Sequence, residues 1–180
     1  LLQLIAAVAP RRVASALRAT MLSRAMQTTL EHVPLAFSDP PHLRYEDSVF
    51  VWFTHPAGAV VQLQRPERIT IPLTHWLVET AYAELDRRFP NSRALTLVFD
   101  YSLMIGRTSA SRSLLLGKVR ESGSRFARAY LILPPLISPA LKRSVDASLR
   151  VASEMGVEAR LIGSVRQAIA TCALVAAPAT

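Results

Sequence analysis

The sequence predicts an α/β fold, a four- to five-stranded mixed sheet with helices packed on it, in the order β-β-α-β-α-β-α-β-α. Three observations predict it. Short runs rich in β-branched and aromatic residues alternate, after an initial hairpin, with stretches of helical period. Of the 180 residues 51% are hydrophobic and 19% charged, which suits one self-sufficient core and excludes disorder as the whole answer. Cys172 is the only cysteine, so the core has no intramolecular disulfide and no cysteine-based zinc site to lean on.

The N-terminal 1–30 read as a basic segment, helical or disordered, carrying Arg11, Arg12, Arg18 and Arg24 and no acid. Its arginines follow the apolar opening run instead of preceding it, unlike a secretory signal. The run is also too short to span a bilayer. The segment superficially resembles a transit peptide, but Met21 or Met26 is the expected start of the chain proper, with the residues before it a dispensable tail or a packed extra helix. Residues 31–46 contain Pro34, Pro40 and Pro41 and are expected to be an extended connector, because proline lacks an amide donor and restricts its predecessor. The α/β domain is placed at 47–176, with a tail at 177–180.

Val49–Phe53 and Ala59–Gln64 flank the turn residues His55-Pro56-Ala57-Gly58 and predict a β-hairpin. Leu73, Leu77, Ala81, Leu85 and Phe89 then recur every four residues, which predicts a helix with Pro72 in its first turn and an end before Pro90-Asn91. Leu95–Phe99 is a continuous apolar run, the pattern of a strand covered on both faces. A helix follows from Thr108–Ser111 to Gly123, with Leu115, Leu116 and Val119 inward, and Ala127–Leu133 is the next strand. Ser138-Pro139 is a cap followed by proline at the first helical position, and Leu141, Val145, Leu149 and Ala152 form the buried stripe up to Gly156. Val157–Ile162 is the last strand. Ser164-Val165-Arg166-Gln167 reads as a capping box, opening a closing helix that turns Val165, Ile169 and Cys172 inward.

The net charge is +8, from 21 bases against 13 acids. Half of the excess sits in residues 1–30. Nine more bases, from Arg107 to Arg150, meet only Glu121 and Asp146. This permits nucleic-acid or polyanion binding through the arginine-rich 107–150 region, although the aromatic platforms or motifs of a nucleic-acid site are absent. Arginine dominates the bases and alanine is abundant, which fits the coding bias of a high-GC bacterial genome as easily as a selected phosphate-binding surface.

Phosphate-loop, dinucleotide, zinc-protease and serine-hydrolase motifs are absent, so no cofactor and no enzymatic activity are expected. His32, His42, His55 and His75 are too far apart to share a helix face, and no metal site is expected. Cys172 is expected to be a buried small side chain and not a nucleophile. One segment stands apart. Asp100 to Ser113 leaves the carboxyl end of a buried strand and enters a helix N-terminus, where open α/β sheets hold ligands and where amides and the helix dipole favour anions. Asp100 is either a turn residue binding its own backbone or a surface carboxylate ordering the loop. Thr108, Ser109 and Ser111 compete for the helix cap, and Arg107 and Arg112 lie beside them.

Val98-Phe99-Asp100-Tyr101-Ser102, the hydroxyl-rich start of the next helix, the preceding hairpin and helix, and the final strand-helix pair resemble the STAS domain over about Val49 to Leu174. That family comprises anti-sigma factor antagonists and regulatory tails of sulfate transporters. The resemblance implies a cytoplasmic, non-catalytic bacterial domain for signal transduction, which binds a protein partner such as an anti-sigma-type kinase, and a phosphorylated serine in this segment. Aligned without gaps, that serine falls on Ala110, which leaves Ser109 or Ser111 as the candidate phosphoacceptor. The expectation is a regulatory domain that binds a protein or a small anion through Asp100, Ser102, Arg107, Thr108, Ser109, Ser111 and Arg112.

Overall fold

A close backbone approach at Gly58 constrains the hairpin. Strand β1 (Leu43–Tyr45) lies antiparallel on β2 (Val49–His55), and β2 pairs antiparallel with β3 (Gly58–Leu63), placing Val51 opposite Val61 and Phe53 opposite Ala59. A Cβ on Gly58 would stand 2.2 Å from the carbonyl oxygen of Thr96 on the neighbouring strand, so only glycine lets the two backbones meet there. The computed structural model describes residues 34–122 and 125–178. The basic segment expected at 1–30 lies outside them.

After a short strand, β4 (Glu67–Ile69), helix α1 opens at Ile71 under the side-chain cap of Thr70, with Pro72 in the first turn as expected. It runs through 71–88 in three pieces: α-helical Ile71–Trp76, π-helical Leu77–Ala81 and α-helical Tyr82–Arg88. The π segment has a reason in the sequence. Apolar residues spaced by four advance ~40° per step around an ideal α-helix, and one wide turn reverses much of that drift. Leu73, Leu77, Ala81 and Leu85 are all buried as a result.

β5 (Leu95–Asp100) pairs parallel with β3, and β6 (Met104–Arg107) forms a separate two-stranded parallel sheet with β4. Helix α2 (Ser109–Ser122) leads to β7 (Phe126–Ile132), α3 (Pro139–Glu154) to β8 (Glu158–Leu161), and α4 (Val165–Cys172) to β9 (Val175–Ala176). The main sheet has the order β1-β2-β3-β5-β7-β8, with β9 pairing antiparallel to the end of β2. The strands from β3 to β8 are parallel. The expected α/β class therefore holds, with a mixed sheet and four helices among the described residues. The strand number does not: the main sheet has seven strands, because β1 and β9, of three and two residues, are too short to carry a period.

Crossovers of one hand advance a sheet in one direction and leave their helices on one face. Accordingly Leu73, Leu77 and Leu85 of α1 and Leu141 and Ala152 of α3 pack with Val51, Val61 and Leu97 of the sheet. Helix α4 returns across the opposite face, where Val165, Ala168 and Cys172 meet Val60, Val98 and Tyr130. Ser164 caps α4 as expected, but the Gln167 side chain accepts the amide of Gly163, one residue before the cap.

The expected connector is corrected. From Leu35 onward the chain belongs to the compact unit. Ala36 and Phe37 pack on the α4 face, Ala36 N donates to Gln62 Oε1 at 3.0 Å, and Trp52 Nε1 donates to the Asp39 carbonyl at 2.8 Å. Proline fixed an extended path, and the apolar pair between the prolines makes that path a strap. His42 Nδ1 accepts the Phe53 amide, so its Nε2 carries the proton that bonds the Ala177 carbonyl. Both ring nitrogens thereby hold structure, and Ala177 of the expected tail is buried.

Candidate functional site

The 100–113 segment divides between the two faces of the sheet. Asp100 is buried, with Oδ2 accepting Gln62 Nε2 at 2.9 Å and Oδ1 accepting the Ser102 amide at 3.1 Å. Asp100 is therefore the turn residue of the two readings, and the surface-carboxylate alternative is corrected. Its partner Gln62 also receives Ala36 N and Gln64 Nε2, so this polar cluster ties β3, β5 and the strap together. Ser102 gives its amide to that turn and is only half exposed.

Tyr101, next in the chain, lies on the other side. It is 7% exposed, and its hydroxyl is buried without a hydrogen-bond partner. Burial raises its pKa well above the ordinary tyrosine value, against a smaller opposing pull from Arg107. The hydroxyl is thus a proton donor throughout the neutral range. The chain then turns through Met104 N, which donates to the Tyr101 carbonyl, and β6 carries it to Arg107.

Thr108 wins the competition for the cap of α2: its Oγ1 accepts the Ser111 amide at 3.1 Å and lies 2.6 Å from Ser111 Oγ. Ser111 is fully buried in that contact, whereas Ser109 is exposed. Of the two candidate phosphoacceptors, only Ser109 presents its hydroxyl to solvent, because Ser111, the third residue after the Thr108 cap, turns its hydroxyl into the protein.

Arg107 and Arg112 lie close enough for their charges to interact, and both line one cavity. Arg107 Nη2 bonds the Ser144 carbonyl at 2.6 Å, Ser144 Oγ at 2.8 Å and Ser148 Oγ at 3.0 Å, while its Nε is buried with no partner. Burial lowers the Arg107 pKa, and the neighbouring Arg112 charge lowers it further. The Nε of Arg112 is likewise buried without a partner. Among the described residues neither arginine forms an ion pair. Two guanidinium groups held together with no carboxylate form a local excess of positive charge, partly out of water, and such an arrangement favours an anion.

Beside them lies a cavity of about 100 Å³ between α2, α3 and the sheet. Tyr82, Tyr101, Arg107, Arg112 and Ser148 supply its polar groups, and Leu97, Phe99, Leu116, Val119, Ala129 and Ala152 are among its apolar walls. Leu115, Leu116 and Val119 are only half buried, so α2 covers the sheet incompletely. Sequence reasoning missed Tyr101, Ser144 and Ser148. Tyr101 follows the strand end directly, and the two serines are four apart on α3, hence on one helix face.

The other bases of 107–150 are spread out. Arg125 binds Asp86 and the Phe89 and Ser92 carbonyls, Lys118 pairs with Glu121, and Arg128 pairs with Glu158 on the α4 side of the sheet. Lys142, Arg143 and Arg150 are exposed on α3. Among the described residues no three histidine, cysteine, aspartate or glutamate side chains cluster as a metal site, and no helix is long and apolar enough to cross a membrane. No protein-family model, no curated protein and no solved structure matches this chain.

Proposed function

We propose that this chain is a non-catalytic, STAS-like bacterial regulatory domain of the cytoplasm that binds an anion, free or carried by a partner protein, at Arg107, Arg112 and the start of α2. The observation that carries the reading is the juxtaposition of two arginines, each with a buried, unpartnered Nε and, among the described residues, no ion pair to a carboxylate. The helix N-terminus adds its dipole to the same charge. The STAS-like part rests on the element order of hairpin, α1, β5, α2, β7, α3, β8 and α4. In the switch form of the reading, the phosphate is attached to Ser109, where it adds about −1.5 to −2 charge beside Arg112.

Nucleic-acid binding is the less supported reading, since the bases of 107–150 are divided between the two sides of the sheet. The test is thermal unfolding of the full chain with acetate, phosphate, sulfate and hexanoate at constant ionic strength. At least one anion raises the melting temperature of the parent protein and leaves Arg112→Gln unchanged. No rise with any of them, or equal rises in both proteins, overturns the reading.

A further inference from the structure

We infer that the anion taken here is an apolar-tailed carboxylate, with its head against Tyr101, Arg107 and Arg112 and its tail in the cavity beneath α2. This deepens the proposed function and rests on it. Three separate observations converge on the cavity. Its walls are mainly leucine, valine, alanine and phenylalanine side chains, so a fully polar ligand would leave them against water or void. Its charged groups are both guanidinium donors, the hydroxyls of Tyr82, Tyr101 and Ser148 can donate as well as accept, and two guanidinium Nε atoms and the Tyr101 hydroxyl have no hydrogen-bond partner. The tyrosine is more than nine-tenths buried, and a buried hydroxyl without a partner is destabilising unless something supplies one.

A carboxylate answers this set. Two oxygens offer about four lone-pair sites, enough for three donors, and a planar anion suits guanidinium forks. A phosphate dianion fits less well, because its second charge must also be desolvated beside an apolar wall. The volume of about 100 Å³ limits the enclosed tail to roughly an aromatic ring or a short acyl chain. Half-buried Leu115 and Leu116 leave the α2 side as the route of entry.

The experiment is calorimetric titration of the full chain with acetate, butanoate, hexanoate, hexanol and inorganic phosphate at constant ionic strength. The parent protein and three variants, Arg112→Gln, Tyr101→Phe and Ala152→Leu, are compared. Affinity is expected to rise from acetate to hexanoate by roughly fourfold per methylene while the tail remains enclosed. Arg112→Gln brings hexanoate down to the level of hexanol. Tyr101→Phe, which deletes one hydroxyl and keeps the packing, weakens hexanoate several-fold. Ala152→Leu fills the cavity, so hexanoate falls to the affinity of acetate. Equal binding of acetate, phosphate and hexanoate, all lost in Arg112→Gln, overturns the apolar tail and leaves the anion reading standing, as does a preference for phosphate. No binding of any anion overturns both.

Discussion

Arg107 Nη2 donates to the carbonyl oxygen of Ser144 at 2.6 Å, fastening the last residue of β6 to the middle of α3. One corner of the guanidinium is thereby fixed and its Nε is left without a partner beside Arg112. The contact therefore has a structural half and an unsatisfied half. The unsatisfied half should be visible in the ligand-free protein.

Arg112→Leu is expected to stabilise the unliganded chain by about 1 kcal/mol, because an apolar side chain replaces a like charge facing Arg107. Urea denaturation at low salt measures it. The gain should shrink as salt screens the repulsion between the two arginines in the parent protein. Destabilisation at low salt would mean that Arg112 already has a compensating partner.

Asp100→Ala removes the acceptor of Gln62 Nε2 and of the Ser102 amide in the core, so a loss of about 2–3 kcal/mol is expected. Denaturant midpoints report it. Asp100→Asn keeps an acceptor and should lose less, since one oxygen can still take the Ser102 amide. If both variants leave the midpoint unchanged, Asp100 does not hold the turn.

Gly58→Ala forces a methyl group against the Thr96 carbonyl oxygen at the β3–β5 contact. Overpacking against backbone should cost about 3 kcal/mol, read as a lower melting temperature by circular dichroism. Gly117→Ala in α2 is the control: a Cβ there meets nothing within 4 Å, and helix propensity should make it neutral or stabilising.

Stability should also fall in acid through Glu84. Its carboxylate accepts Arg87 Nε at 2.7 Å and Arg88 Nε at 2.8 Å, and the Arg87 contact foremost lowers its pKa to about 2. A depressed folded-state pKa gives stability that is complete above the unfolded value near 4.3 and is lost as pH falls towards 2. The difference in stability between the parent and Glu84→Gln should therefore be flat above about pH 5 and diminish below it. A difference independent of pH down to 2 would show that the charge of Glu84 contributes nothing, an outcome consistent only with fully screened surface pairs.

Long elements were legible because period and caps reinforce one another. Ser138-Pro139 and Ser164 start helices where their chemistry requires, and Leu95 to Val98 are buried on both faces, with Phe99 half-buried. The strands β4 and β6 were not legible, since three or four residues cannot display alternation. The strap was misread because its prolines suggested a linker while Phe37 and Asp39 find their partners on Trp52, distant in sequence. At the site, Arg107, Thr108 and Arg112 were legible from a strand end running into a helix start. Which face each side chain takes was not. Asp100 and Tyr101 are adjacent in sequence and point to opposite sides of the sheet, so one serves the core and the other the cavity.

The most direct measurement is an amide chemical-shift map of the full chain titrated with hexanoate at constant ionic strength. Shifts are expected at Tyr101, at Arg107–Arg112 and along α3 near Ser144 and Ser148, and they should vanish in Arg112→Gln. Shifts confined to Arg128 and Arg160 or to the outer face of α3, or none at all, would contradict binding at the arginine pair.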